Sequence, residues 1–262
     1  MLDYASFPEQ RQSLIRDRLR KEGRVVCTLL SQELQVSEHT IRRDLQELAR
    51  EGACKRVYGG AVSLAPDGGH FMTRTATDNE SKEALGQCAA ALIQDGQCVF
   101  IDSGSTNLAI ARAIPASLSV TVVTNSPAIA VEMMKSPHAE VIMLGGRVQP
   151  HIGGALGITP QKQLEKIAFD VCFLGGCALD VAAGLTVFDY EDAEFKHIAA
   201  RKSSHVVVAM TADKLPAVAR YHVIPCEEIT TLVVESAISP EKLAPFIDKK
   251  IPIRIADAAQ TT

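Results

Sequence analysis

The sequence predicts a two-part chain of 262 residues: a small helical amino-terminal domain ending in a two-stranded wing, then a larger α/β domain with a mostly parallel sheet. Three observations lead there. Apolar residues recur at helical spacing through the first fifty positions and stop at Gly52. A stretch rich in Gly and Thr without sustained periodicity follows the Gly59-Gly60 turn. Beyond it, short continuous apolar runs alternate with helical patterns, as in strands covered on both faces by helices.

The amino-terminal elements follow from local chemistry. Leu14, Ile15 and Leu19 predict a first helix, and Leu29, Leu30 and Leu34 a second. A tight turn at Val36 and Ser37 leads into a third. Ser37 has the hydroxyl to accept from an unpaired amide of the first turn, and Glu38 sets negative charge at the positive end of the helix dipole. Ile41, Leu45 and Leu48 form its apolar stripe. The opposite face gathers His39, Arg43, Gln46 and Arg50, flanked by Arg42 and Glu47. After Gly52, residues 53–61 mix polar and apolar side chains before the Gly-Gly turn, which suits a wing carrying Lys55, Arg56 and Tyr58. An amphipathic helix with two arginines is, taken alone, more often a solvated surface helix. Turn, cap, paired arginines and basic wing in this order instead describe a winged helix-turn-helix, whose second motif helix enters the DNA major groove. The residues expected on double-stranded operator DNA are Ser37, His39, Thr40, Arg42, Arg43, Gln46, Arg56 and Tyr58. Arginine pairs with guanine or with phosphate, and the residue types leave Arg42, Arg43 and Arg56 open between those tasks.

Charge is distributed to match. The net charge is -4, yet residues 1–62 hold 11 Lys+Arg against 9 Asp+Glu, a balance of +2, which leaves -6 for the remainder. A hydrophobic content of 47% with 22% charged residues describes an ordinary soluble protein with a sizeable core. No apolar signal segment or bilayer-length run is present, so a cytoplasmic protein without a membrane partner is expected. The seven cysteines include no CxxC pair and no histidines at zinc spacing, so they are expected as reduced, buried thiols, with no metal and no cofactor.

The domain boundaries expected are 8–63 for the winged helix-turn-helix, with its helix-turn-helix at about 25–44, then 64–79 for a linker containing Pro66, Asp67, Gly68 and Gly69, and 80–255 for the α/β domain. In the last, helices are predicted at 84–93, 108–114 and 191–202, and strands near 98–101, 119–123, 140–144, 171–174, 205–209 and 231–234. Ligands of open α/β sheets bind beyond the carboxyl ends of strands. Those ends are followed here by Asp102-Ser103-Gly104-Ser105-Thr106-Asn107, Thr124-Asn125-Ser126, Gly145-Gly146-Arg147 and Gly175-Gly176, which predicts one polar crevice. In the first loop, glycine, hydroxyls and free amides meet at a helix start, an arrangement that fits a phosphate oxyanion. Any strand-to-helix turn favours the same residues for capping, so the weight lies on the neighbouring loops. Neither G-x-G-x-x-G nor a Walker pattern occurs, which argues against a dinucleotide or a nucleoside triphosphate. Lys196 and Lys214 have the charge to neutralise a phosphate or a carboxylate, or to serve as ordinary surface cations.

The stretches VSEHTIRRDLQEL, EG and KRVYGGA resemble the amino-terminal signature of the DeoR family of bacterial transcriptional regulators, and the α/β region is similar to the family's carboxy-terminal sensor. Together the two resemblances cover roughly residues 8–255. They imply a ribose-5-phosphate isomerase/CoA-transferase-like sensor fold that binds a phosphorylated sugar or sugar acid. By position they imply a phosphate loop at Asp102, Ser103, Gly104, Ser105 and Thr106, further loops at Thr124, Asn125, Gly145 and Gly146, and two lysines, Lys196 and Lys214. The chain departs from the family pattern at Asn107, Asp192 and Thr211. The function implied is a repressor of a carbohydrate catabolic operon, working as a homodimer or homotetramer because paired half-sites need paired readers. The rival is a sugar-phosphate isomerase fused to a DNA-binding unit, for which Asp102, Asp189, Glu191 and Asp192 are eligible bases. The turn Gly175-Gly176-Cys177-Ala178-Leu179-Asp180 replaces the aspartate-rich turn of those isomerases. A redox or metal sensor is suggested by cysteine number and unsupported by spacing.

Overall fold

The computed structural model describes residues 7–65, 69–77 and 79–257; Pro66, Asp67, Gly68 and Asp78 of the expected linker lie outside the described residues. The amino-terminal domain runs α1 (Pro8–Glu22), β1 (Arg24–Val26), α2 (Cys27–Leu34), α3 (Glu38–Arg50), β2 (Lys55–Val57) and β3 (Gly60–Val62). Ile15, Leu19, Leu30, Leu34, Ile41, Leu45 and Leu48 form its core, with Cys27 and Cys54. Leu29, read from the sequence as part of the apolar stripe of α2, is instead 61% exposed. The stripe of this short helix runs through Cys27, Leu30 and Leu34, a spacing of three and four that leaves Leu29 outside. The wing gains a strand the sequence did not predict, since β1 pairs antiparallel with β3 and makes the order β1-β3-β2. Ser37 caps α3 as expected, accepting from Thr40 N at 3.1 Å. Beneath the helix, buried Asp44 holds Arg11 of α1, whose Nη2 donates to Oδ1 at 3.0 Å, and Gln12 Nε2 donates to Glu47 at 2.7 Å. These contacts fix the roll of α3 and therefore which face it exposes.

The expected linker is partly structured. α4 (Phe71–Thr75) is a single amphipathic turn whose Phe71 is buried. The α/β domain continues with α5 (Asn79–Ala90), β4 (Cys98–Ile101), α6 (Ser105–Ala113), β5 (Val120–Thr124), α7 (Pro127–Met133) and β6 (Ala139–Met143). The hairpin β7 (Arg147–Gln149) and β8 (Gly154–Leu156) follows, then α8 (Ile158–Leu164), β9 (Phe169–Leu174), β10 (Ala178–Asp180), β11 (Gly184–Val187), α9 (Tyr190–Arg201), β12 (Ser203–Met210) and β13 (Tyr221–Ile224). β14 (Thr231–Glu235), α10 (Pro240–Asp248) and β15 (Ile253–Ala256) complete it. The main sheet has seven strands in the order β15-β14-β12-β9-β4-β5-β6, every pairing parallel. Alternation along β9 divides the core: Val171 and Phe173 pack on one face with Val99 and Ile101, Cys172 and Leu174 on the other with Phe100. From β4 the chain winds outward to β5 and β6, then returns to the opposite side of β4 for β9, β12, β14 and β15. The order therefore reverses between β4 and β9, which is where such sheets open a crevice.

Candidate functional site

At that reversal lies a cavity of about 340 Å³, lined by the loops after β4, β9 and β12. The first loop sets its geometry. Gly104 has φ 139°, a conformation that lets the chain turn sharply from β4 into α6. Ser103, Gly104, Ser105, Thr106 and Asn107 all reach the cavity. The first amides of α6 have no intrahelical acceptor, and together with the helix dipole they favour an anion. The Ser103 hydroxyl and Asp102 Oδ1 are buried and have no hydrogen-bond partner among the described residues.

Cations and carboxylates stand beneath this cradle. Lys196 of α9 is 2% exposed and donates to Asp102 Oδ2 and to Asp192 Oδ1, each at 2.6 Å. Burial disfavours its ammonium, but the Asp102 and Asp192 carboxylates outweigh that and raise the lysine above its ordinary value. Burial pushes the Asp192 carboxyl up to about 6, helped by the Asp102 charge and opposed by Lys196. Gly175 N donates to Asp102 Oδ2 at 2.9 Å, so the same carboxylate ties β4 to the loop after β9. Lys214, which donates to Gly176 O at 3.2 Å, is lowered by burial. Its ammonium gains from any anion that enters.

Thr124, Asn125, Gly145 and Gly146 stand outside the cavity lining: Thr124 and Asn125 have no exposed surface, and Gly145 and Gly146 follow the edge strand β6. They act as supports: Asn125 Oδ1 accepts from Ser103 N at 3.0 Å, Thr124 Oγ1 accepts from Ser126 N at 3.0 Å, and Gly145 N donates to Gln163 at 2.9 Å. Gly146 has φ 154° and lies against Pro160. Asp102 likewise holds Lys196 from behind the lining. Conversely, sequence reading missed Arg74, His70, His151 and Phe188, all at the cavity. Arg74 Nη1 donates to His151 O at 2.9 Å. It falls in a helix too short to display a period, so only the Phe71-Arg74 spacing hints at it.

On the amino-terminal domain, His39, Arg42, Arg43 and Gln46 are exposed along α3, and Ser37 and Thr40 sit at its start. Arg42 pairs with Glu38 at 2.6 Å, and Arg43 with Glu47 at 3.7 Å. Arg56 is exposed on β2, and Tyr58, at the wing tip, is 98% exposed. Among the described residues, no helix is long and apolar enough to cross a membrane. The seven cysteines are all free; four are buried and Cys88, Cys98 and Cys177 are half-buried. Burial raises the Cys177 thiol at the cavity, and that of Cys172 to about 12.

A winged helix-turn-helix joined to an α/β domain that opens a cavity at its strand reversal defines the class of DNA-binding transcriptional regulators. Residues 11–67 match the DeoR-like helix-turn-helix domain, and residues 77–236 match the DeoR C terminal sensor domain. The chain belongs to the DeoR family. It is 30% identical over 253 residues to the HTH-type transcriptional regulator GolR of Listeria innocua, covering 96% of this chain and 100% of that one. It is 32% identical over 222 residues to the regulator GlpR of Haloferax volcanii, covering 84% and 86%, and 30% identical over 206 residues to the glycerol-3-phosphate regulon repressor of Escherichia coli, covering 78% and 82%. Among solved structures, ribose 5-phosphate isomerase A of Methanocaldococcus jannaschii aligns with a TM-score of 0.39 at 15% identity, over 53% of this chain and 55% of that one.

Proposed function

We propose that this regulator represses a carbohydrate catabolic operon and leaves its operator when a phosphorylated sugar or sugar acid fills the cavity. The reader domain spans 8–63 and the effector domain 80–255. The observation that carries the reading is the cradle itself: the amino terminus of α6, the hydroxyls of Ser103, Ser105 and Thr106, and the half-buried ammonium of Lys214 converge on one space. The phosphate sits on the α6 amides, while Lys196 acts indirectly by holding Asp102 and Asp192 in place. The name of the Escherichia coli relative, a glycerol-3-phosphate regulon repressor, supports a small phosphorylated metabolite.

No catalysis is assigned. Each aspartate eligible as an isomerase base is already engaged: Asp102 and Asp192 by Lys196, and Asp189 as the cap of α9, accepting from Asp192 N at 3.0 Å. Glu191 is exposed outside the cavity lining. A homodimer or homotetramer presents α3 and the wing to two half-sites about one helical turn apart. A thermal-shift screen of phosphorylated sugars against their unphosphorylated parents tests the reading, since a ligand that prefers the folded state raises the melting temperature. A hit must also release the protein from the DNA flanking its own gene in a gel shift. Stabilisation by the unphosphorylated sugars alone would overturn the phosphate assignment.

A further inference from the structure

The segments that wall the cavity are also the ones that hold the reader. The chain leaving the wing is tied at once, as Ser63 N donates to Gly23 O at 2.7 Å and Ala65 N to Val218 O at 2.9 Å. Residues 211–218 make the matching connection. They begin at the end of β12, place Lys214 at the cavity, and end where Val218 N donates to Ser63 O at 3.0 Å. Between these points Pro216 lies against Gly23 at the end of α1, so closely that a Cβ on Gly23 would stand 2.4 Å from Pro216 O. Lys214 and Pro216 are two residues apart. Only Leu215 separates them, so a displacement of the chain at Lys214 has almost no slack in which to die out before it reaches the reader.

A second tie lies beside the first. Arg24 Nη1 of β1 donates at 2.8 Å to Oδ2 of Asp180, a carboxylate with no exposed surface, whose Oδ1 accepts from Ala182 N at 2.9 Å and Ala183 N at 3.1 Å. Asp180 ends β10, the strand that leaves the cavity loop Gly176-Cys177. Undocking the reader strips a buried carboxylate of its cation, which biases the protein toward one docked arrangement.

We propose that occupancy of the cavity is transmitted to the DNA-reading domain through residues 211–218, with Lys214 sensing the ligand and the Gly23–Pro216 and Arg24–Asp180 contacts as the attachment to the reader. This rests on the cavity being the effector site. An anion draws the Lys214 ammonium away from Gly176 O, the segment follows, and the docked and undocked arrangements of the reader then bind ligand with different affinity, as coupling requires.

Amide hydrogen exchange of the full chain, read by mass spectrometry, tests this without knowledge of the effector. Lys214→Met keeps the aliphatic stem and removes the charge. Exchange at Ala65, Val218 and the Gly23 end of α1 should quicken by about fivefold or more, the lower end of typical coupling between sites. Lys135→Met, on a distant surface, should leave these amides unchanged. The coupling must be reciprocal, so Arg24→Gln should quicken exchange through 211–218 and at Gly176 and Cys177. Changes confined to the cavity in the first variant and to the reader in the second would overturn the proposal. Calorimetry with inorganic phosphate separates the two readings. Absence of binding counts against the anion site and leaves the exchange result standing, whereas binding without altered exchange at Ala65 and Val218 refutes the transmission alone.

Discussion

Lys196 and Asp102 meet at 2.6 Å in the centre of the α/β domain, and the same ammonium stands 2.6 Å from Asp192. One buried cation thus serves two buried carboxylates, and the cluster bridges the end of β4, the loop after β9 and the helix α9. Lysine at this position holds the cavity floor together.

Lys196→Met should therefore destabilise the α/β domain strongly. It leaves two carboxylates buried and unpaired, and removing one partner of a buried ion pair costs about 3–5 kcal/mol. Denaturant unfolding followed by circular dichroism gives the loss directly. A change as small as that of an exposed pair, about 1 kcal/mol or less, would show that the cluster is hydrated rather than buried.

Asp192 supplies a pH signature. Its folded-state value, about 6, lies above the ordinary 3.8, so the folded protein holds a proton that the unfolded chain has released between those values. Stability from this group is fully present below pH about 4 and is lost as pH rises to about 6, with a slope of at most about 1.4 kcal/mol per pH unit. Asp192→Asn, which retains an oxygen acceptor for Lys196, should remove this contribution. Unfolding titrations from pH 4 to 7 on both proteins isolate it as a difference, and parallel curves would refute it.

What the sequence made legible was local. The cap Ser37, the stripe Ile41, Leu45, Leu48 and the wing turn depend on neighbours within a few residues, and the long apolar strands announce themselves in the same way. β10 and β15 were unread because Ala178–Asp180 and Ile253–Ala256 are too short and mixed to show a period. The cavity was half legible for a different reason. Its position depends on the order of strands in the sheet, a non-local property, so four loops of similar composition looked equivalent. Those after β4 and β9 meet across the reversal. In the chain after β5 and β6, Thr124, Asn125, Gly145 and Gly146 stand behind the lining, whereas His151 of the β7–β8 hairpin reaches the cavity. Asn107, one of the departures from the family pattern, donates to Asp102 O at 2.9 Å and Phe173 O at 3.1 Å, a tie between β4 and β9 visible only once those strands are neighbours.

Arg43→Ala tests the reader surface. The side chain is 76% exposed and touches Glu47 only loosely, at 3.7 Å, while the stripe beneath it is untouched, so folding should be unaffected. Operator affinity should fall. A base contact costs about 1–3 kcal/mol of discrimination, whereas a phosphate contact weakens all sequences alike and lowers the salt slope by about one unit. Gel-shift titrations on operator and scrambled DNA at two salt concentrations distinguish these. Unchanged affinity on both would remove Arg43 from the interface.

Ser105→Asp tests the cavity. Ser105 opens α6 at the cavity wall, so the substitution puts a fixed negative charge and added bulk where the ligand phosphate is assigned. Binding of the phosphorylated sugar found in the thermal-shift screen should be lost in calorimetry. The consequence for transcription takes one of two forms. If the carboxylate only repels the ligand, a reporter under the operator stays repressed when the sugar is supplied. If it satisfies the α6 amides as a phosphate does, it fixes the ligand-bound arrangement and the reporter is on without sugar. Ligand binding is abolished in both, so the calorimetric result decides the assignment whichever way the reporter moves. Wild-type affinity in the variant would reduce the loop from Asp102 to Asn107 to a structural turn and move the phosphate to another part of the cavity.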